Sequence, residues 1–488
     1  MVKKINWGII YKIEFIFICA VCLVLCTGKN YWFDESFSLA LMKQDLEHII
    51  FYTASDVHPP LYYLILKCFV GVFGASDVVV HLASLFPFMA LLILFGEKIK
   101  RDFGDFAAVL SVFMFAGAPR VLNYSTEVRM YAWAMFFVFA SFLLGNDIAK
   151  TEDESYKKWI LFAVLNVLAA YTHYFAGAAV ILISGYLILR LLIKGREKMI
   201  LFFRWLESSI ITFVLYIPWM IVFLKQIKKV KADYWIPPFQ LSELREYNNL
   251  LFGKNALVHN VVLLIFVMAV ILYLIRREYK NDLLPVLAML IVFSYIALGV
   301  LLCIFFTPVF IQRYIIIVVP IFWYGICREF CRVNNKYVYG LLVVLSFVCF
   351  FKSYEAKFYQ GMSKDHRTVA TFIEDNRCER DEIIATDTHV IGALNVYAHE
   401  FQLYLTKDVI AKEAFVYWNE VGNVSYVDEY SDMNSDRIWL FVYEDMDTNS
   451  IKQLKKAGYQ VTDVGTYTIP YDGWSGDHSN VEIYACNK

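Results

Sequence analysis

Five short stretches hold the residues of this chain that can do chemistry. They are Asp34-Glu35, Asp56-Val57-His58-Pro59-Pro60-Leu61-Tyr62-Tyr63, Glu127-Val128-Arg129-Met130-Tyr131, Tyr171-Thr172-His173-Tyr174 and Gln312-Arg313-Tyr314. Each stands at the end of a long apolar run. An ionisable group at membrane depth is expensive and is kept for function or for pairing. There, a carboxylate can take the proton of an attacking hydroxyl and an arginine can hold a phosphate oxygen. A histidine can bind phosphate, bind a metal or orient a carboxylate. If the five stretches lie on one side of a bilayer, they can converge on a single polar site.

Each stretch also has a plainer reading. Asp34 can cap a helix, with Ser36 and Ser38 nearby. His58 can bond a backbone carbonyl, and the Pro59-Pro60 pair behind it starts a helix rigidly. Glu127 and Arg129 can form a local ion pair at the start of the helix from Met130. His173 can be a helix-end cap. Asp34-Glu35 alone would be read as a cap; four further clusters on the same face reverse that preference. Arg313, at the end of a very apolar helix, prefers a permanent anionic partner. Asp34, Asp56, His58, Glu127 and His173 would together suit a hard divalent ion, although no spacing demands one.

The elements that position these residues are membrane helices. Of 488 residues 59% are hydrophobic, 17% aromatic and only 19% charged, which marks a polytopic membrane protein. The apolar excess lies in residues 1–352. The net charge of −1 and the lack of an extended basic stripe argue against nucleic-acid binding. Eight of the ten cysteines sit in or beside apolar runs as small hydrophobes. Cys378 and Cys486 lie in the polar C-terminal part and could pair if it is extracellular.

Apolar runs of membrane length fall near 9–27, 77–95, 105–119, 130–145, 157–172, 174–193, 200–224, 258–276, 283–306, 309–330 and 336–352. The first follows Lys3 and Lys4 without a clear cleavage site and reads as a retained span. The segment 59–74 is short and ends at Gly71 and Gly74. The positive-inside rule assigns its role. Lys98, Lys100 and Arg101; Lys150, Lys157 and Lys158; Lys194, Arg196 and Lys198; Arg276, Arg277 and Lys280; and Arg328, Arg332 and Lys336 all fall on the N-terminal, cytoplasmic side only if 59–74 does not cross. It is therefore expected as a re-entrant or interfacial helix, with about 11 crossings and the C-terminus outside. An outer loop with Lys225, Lys228, Lys229 and Lys231 breaks the charge rule. It suits a lipid phosphate or lysines that snorkel to headgroups.

Residues 353–488 read as a small soluble α/β domain. Helices are expected at 366–377, 389–400 and 448–457, and strands at 383–387, 438–443, 459–469 and 480–486. Gly473-Trp474-Ser475-Gly476 reads as a turn.

In their order and spacing these stretches, with Pro218-Trp219 and Tyr234-Trp235-Ile236-Pro237, resemble the bacterial membrane glycosyltransferases of the GT-C fold. These are relatives of protein O-mannosyltransferases and of the aminoarabinose transferase that modifies lipid A. The resemblance covers about residues 1–350 and implies a GT-C-like fold of about 11 to 13 transmembrane helices, with interfacial helices in the first outer loop. It implies a sugar donor carried on a polyprenyl phosphate and inverting transfer to an unidentified acceptor (glycan, lipid or protein) at the outer face of the plasma membrane. Asp34 becomes the expected general base, with Glu35 and Glu127 as further catalytic carboxylates. Asp56, His58, Arg129, Tyr131, His173, Lys228, Arg313 and Tyr314 become the expected donor and phosphate ligands. Some relatives also hold a divalent metal near the site. The chain departs from the pattern at His81, where many relatives carry arginine, so one phosphate contact is expected to be weaker or differently placed.

The main alternative is a transporter or lipid-linked-sugar flippase. That class should show inverted repeats and helices broken at the bilayer midplane. The polar residues here stand at helix ends, and no repeat is found. A membrane-anchored binding protein would need only one span.

Overall fold

A computed structural model describes residues 6–27, 31–193, 199–232, 236–276, 283–333 and 335–362. Farther along it describes 366–378, 380–386, 403–406, 424–427, 435–443, 448–470 and 478–488, with single residues between. The chain forms two compact units. One joins residues 1–27 and 53–357; the other joins 28–52 and 358–488.

The first unit is helical. Its elements are α1 (Trp7–Cys26), the end of α3 (Leu46–Ser55), α4 (Leu61–Phe73), α5 (Asp77–Phe103), α6 (Asp105–Ala116), α7 (Val121–Thr126), α8 (Tyr131–Thr151), α9 (Tyr156–Thr172), α10 (Tyr174–Ile193), α11 (Met199–Ala232), α12 (Glu243–Phe252), α13 (Ala256–Arg276), α14 (Leu284–Phe305), a 3₁₀ segment Gln312–Val318 leading into α15 (Val319–Cys331), and α16 (Lys336–Met362). All the expected spans are helical. Among the described residues nine helices are long and apolar enough to cross a membrane; α6 and α9 are not among them. Gln312–Cys331 has 94% of its apolar window buried, against 17% for α11 and 22% for α16. Helices without a water-driven hydrophobic force between them are held by close packing. At Gly117 a Cβ would lie only 2.9 Å from the backbone nitrogen of Phe350, so α16 approaches here because glycine leaves room.

Two opposite ends of this bundle can be told apart by their chemistry. At one end Lys98 pairs with Asp147 at 2.8 Å, Arg328 with Asp102 at 2.6 Å and Arg332 with Glu329 at 3.2 Å. Arg190 donates to Asn146 at 2.8 Å at the same end of α8 and α10. At the other end lie the starts of α4, α5 and α8 and the α9–α10 junction. Helix α4 does not run alongside α5: Tyr62 meets Ser84 at 3.1 Å and Phe69 meets Phe86 at 5.9 Å, so seven residues of α4 span only two of α5. Its exposed end, Val72 and Phe73, suits an interfacial helix.

The four lysines from 225 to 231 do not form a loop. They occupy the last turns of α11. Lys229 donates to the Ser55 carbonyl at 2.9 Å, and Gln226 donates to the carbonyls of Thr53 at 2.9 Å and Ala54 at 3.2 Å, which caps the C-terminus of α3. Apolar composition ended the expected span too early; hydrogen bonds to α3 carry the helix on. Tyr234 and Trp235 lie outside the described residues.

The second unit holds α2 (Phe33–Lys43), most of α3, α17 (His366–Asn376), α18 (Thr448–Lys456) and a six-stranded sheet. The strands are β1 (Glu382–Ala385), β2 (Leu403–Thr406), β3 (Val424–Val427), β4 (Arg437–Tyr443), β5 (Gln460–Pro470) and β6 (His478–Asn487), in the order β3-β2-β1-β4-β6-β5. β1 pairs in parallel with β2 (Ile383 opposite Leu403) and with β4 (Ile383 opposite Trp439). β6 is antiparallel to β4 and β5. Ile384, Ile438, Leu440, Leu454 and Cys486 form its core. Asp381 fixes the start of β4 by accepting from Arg437 and, at 2.9 Å, from the Trp439 indole. The strands β2 and β3 were not expected. Cys378 and Cys486 are both free thiols, the first exposed and the second buried on β6, so the expected pairing does not form. The helix expected at 389–400 and the turn at 473–476 lie largely or wholly outside the described residues.

Candidate functional site

The site is built where α4, α5 and α8 begin and α9 ends. Pro59-Pro60 starts α4, which places Tyr62 and Tyr63 in its first turn, both fully buried. The α7–α8 junction makes a tight turn in which the Arg129 N–H donates to the Glu127 carbonyl at 2.7 Å. Glu127 itself is extended. This turn is held from α5. The His81 Nδ1–H donates to the Thr126 carbonyl at 2.7 Å, and the Ser84 hydroxyl donates to the Arg129 carbonyl at 3.2 Å. Trp133 donates back to the Ala83 carbonyl at 2.9 Å. His81 and Ser84 are fully buried, so each bond satisfies groups that would be costly to leave unmade.

Held in this way, Arg129 is 2% exposed and its Nη1 donates to the Tyr63 hydroxyl at 3.2 Å. Asp56 orients His58: Nδ1 of the half-buried ring lies 3.0 Å from Asp56 Oδ2. His173 ends α9 in extended backbone, 3% exposed. Its ring lies 6.0 Å from His58, 5.9 Å from Tyr131 and 4.7 Å from Tyr314. Arg313 precedes Tyr314 on the 3₁₀ segment. Four of the five sequence stretches therefore meet at one end of the bundle.

The site carries charges of both signs. Burial, followed by the charges of His58, Arg129 and Arg313, holds the His173 imidazole well below the usual histidine range. Burial and the Glu127 carboxylate push the Tyr124 phenol well above its ordinary value, against the charges of Arg313 and Arg120. Two permanent guanidinium groups act on one buried histidine, with the Glu127 carboxylate among them.

Asp34 and Glu35, in the first turn of α2, belong to the other unit. Glu35 is buried and Asp34 half-buried; Glu35 Oε2 accepts from the Trp32 N–H at 3.4 Å, while Ser38 donates to the Asp34 carbonyl at 3.0 Å. Lys228 is exposed on α11, outside the packed cluster. No group of three His, Cys, Asp or Glu side chains suited to a metal ion gathers among the described residues, and Asp56 turns its carboxylate onto His58 instead. The donor set expected for a divalent ion does not fit among the described residues.

Sequence reasoning singled out His81 as a departure from the family pattern but not as a clamp on the Thr126 carbonyl, and it did not point to Ser84 or to the phenol of Tyr124. It also missed Arg120, which sits in left-handed backbone (φ 64°) at the start of α7. For a residue with a Cβ that conformation costs about 1 kcal/mol or more. No local pattern signals Arg120. The intramembrane histidine at 81 was the one signal for the clamp.

Comparison with known proteins shows what the chain is similar to. Residues 57–222, which contain four of the elements that build the site, match the family model of dolichyl-phosphate-mannose-protein mannosyltransferases. No curated protein matches the chain by sequence. Two crystal structures of ArnT from Cupriavidus metallidurans share the fold. The complex with undecaprenyl phosphate has 12% identity and a TM-score of 0.60, and 97% of this chain covers 98% of that one. The apo form has 11% identity and a TM-score of 0.62, covering 97% of each chain. The architecture expected from the sequence is thus observed: the chain is a multi-pass helical membrane protein that shares the fold of ArnT and carries a small C-terminal α/β unit.

Proposed function

We propose that the protein transfers a sugar from a polyprenyl-phosphate donor to an acceptor hydroxyl at the outer face of the plasma membrane. The N-terminus is then cytoplasmic, and the C-terminal α/β unit is extracytoplasmic. The observation that carries the reading is the convergence of His58, Arg129, His173 and Arg313 at one end of the bundle. A lipid phosphate at the membrane surface is the natural anion for such a place, and the related ArnT crystal structure holds undecaprenyl phosphate. The basic residues Lys98, Lys100 and Arg101 at the end of α5, Lys150 at the end of α8, Lys157 and Lys158 at the start of α9 and Arg328 at the end of α15 gather at the opposite end of the bundle, which supports a cytoplasmic location for that end.

In the reaction the acceptor oxygen forms a bond to the anomeric carbon while the bond from that carbon to the phosphate oxygen breaks. The electron pair stays with the phosphate, and the acceptor proton passes to a carboxylate. Asp34 is assigned as that base, with Glu35 and Glu127 as supporting carboxylates. In-line displacement inverts the anomeric centre. Arg129 and Arg313 stabilise the charge that grows on the leaving phosphate, with the Asp56–His58 pair as a further donor. Tyr131 and Tyr314 pack against the His173 ring. Lys228 meets headgroups. The transporter alternative is set aside, because the fold and the family model both belong to glycosyltransferases.

The experiment is binding of undecaprenyl phosphate to purified protein in detergent, compared with Arg129→Ala and Arg313→Ala. Weaker binding in both folded variants supports the reading. Unchanged affinity in both removes the phosphate from this cluster.

A further inference from the structure

The tautomer of His173 is fixed by its neighbour. The backbone N–H of Phe175 donates to His173 Nδ1 at 3.1 Å, so Nδ1 presents its lone pair and the proton of the neutral ring resides on Nε2. The ring is 3% exposed. Among the described residues nothing hydrogen-bonds its Nε2. A buried N–H without a partner costs about 1–3 kcal/mol, which is tolerated where function uses the donor. The ionisable groups that act on it come from three other elements: His58 before α4, Arg129 before α8 and Arg313 on the 3₁₀ segment. The phenols of Tyr131 and Tyr314 are the remaining titratable neighbours.

We infer that His173 serves the phosphate of the donor as a permanently neutral hydrogen-bond donor through Nε2–H, and neither as a cationic clamp nor as a proton-transferring acid. The inference rests on the proposed function and refines it. The chemistry of the leaving group agrees. A phosphate monoester has a second pKa near 6, so it departs as a stable anion without being protonated. What it gains from the site is hydrogen bonds and charge. The two guanidinium groups supply charge. A third cation at the same point would be repelled by them, whereas a neutral N–H adds a directed bond without that cost. Its proton stays on Nε2 throughout, and no proton balance of the reaction passes through it. His58 differs in its tie: its Nδ1 lies 3.0 Å from an Asp56 carboxylate oxygen, whereas Nδ1 of His173 accepts from a backbone N–H.

The test uses the full chain in detergent with undecaprenyl phosphate as the probe, from pH 6 to 8.5. His173→Phe keeps a ring and removes the donor. His173→Gln returns an N–H near the position of Nε2. Wild-type affinity should be independent of any group with the properties of His173 across this range. His173→Phe should bind the probe more weakly by about 10-fold, a factor equal to one charge-assisted hydrogen bond, and by the same factor at each pH. His173→Gln should recover part of that loss. A loss for His173→Phe that is large at pH 6 and vanishes at pH 8.5 would mean that an imidazolium binds the phosphate, and would overturn the inference. Wild-type affinity in a folded His173→Phe protein would also overturn it. Tautomer-resolved nitrogen NMR of histidine-labelled protein supplies an independent check: a His173 resonance that stays neutral, with the proton on Nε2, through pH 6 supports the assignment, and a titrating one refutes it. If wild-type protein does not bind undecaprenyl phosphate at all, the proposed function fails. The NMR result still decides the charge state of His173 by itself.

Discussion

His81 Nδ1 lies 2.7 Å from the carbonyl oxygen of Thr126, a residue 45 positions later in the chain. With Ser84, one turn along α5, it grips both sides of the turn that presents Glu127 and Arg129. A histidine at this depth therefore serves a backbone carbonyl.

The first prediction concerns this clamp. His81→Leu removes the donor and orphans the Thr126 carbonyl, which should cost about 1–3 kcal/mol of stability. It should also lower turnover by roughly 10- to 100-fold through a displaced Arg129. His81→Asn places an amide N–H close to the position of Nδ1 and should restore most of the turnover. Thermal unfolding in detergent and the kcat of all three proteins measure this. Equal kcat for the Leu and Asn variants would contradict it.

A second prediction follows from the depressed His173 pKa. The unfolded chain takes up a proton near pH 6.5, while the folded state resists it. The unfolded state therefore binds more protons below that pH, and stability falls as pH drops. The contribution of this residue is fully present above about pH 6.5 and is lost below it at a limiting slope of about 1.4 kcal/mol per pH unit. Unfolding temperatures measured from pH 7.5 down to pH 5 should fall in the wild type, and less steeply in His173→Phe. Parallel slopes for the two proteins would refute this.

A third prediction separates Asp56 from metal chemistry. Asp56 is placed to orient His58 through Nδ1 at 3.0 Å. Asp56→Ala should reduce donor affinity, and His58→Ala should reduce it about equally. Because the two act as one unit, the double variant should lose little more than either single one. A double-mutant cycle on undecaprenyl phosphate binding reads the coupling; additive losses would show two independent roles.

The close approach at Gly117 gives a fourth. Gly117→Ala sets a methyl 2.9 Å from the Phe350 nitrogen and 3.0 Å from its Cα. Backbone cannot yield as a side-chain tip can, so α16 must shift, at a cost of about 1–3 kcal/mol. A lower unfolding temperature with an unchanged donor Kd is expected.

Much of this molecule was legible in its sequence, for a physical reason. Lipid demands long apolar runs, so all the spans of the helical unit could be placed from composition. The cost of charge at membrane depth picked out His58, Arg129, His173 and Arg313, which the fold brings together. What was hidden depends on partners distant in sequence. The His81 clamp exists only because α5 meets the α7–α8 turn. The lysines at 225–231 read as a loop because their helix is prolonged by bonds to α3. The four-residue strands β2 and β3 carry too few alternations for a period of two to register. Asp34 and Glu35 stood out as the first acidic pair of the chain, but their part rests on the reaction proposed for them.

The most direct test is transfer itself. Wild-type protein and Asp34→Asn are reconstituted in liposomes with radiolabelled polyprenyl-phosphate sugars and candidate acceptors. Wild type should release free polyprenyl phosphate and move label to acceptor. Asp34→Asn, equally folded, should be slower by roughly 100- to 10,000-fold, the usual value of general-base help. Full turnover by Asp34→Asn would contradict the assignment of the base. Movement of the intact labelled lipid between leaflets by wild type, with no cleavage from its sugar, would contradict the enzyme.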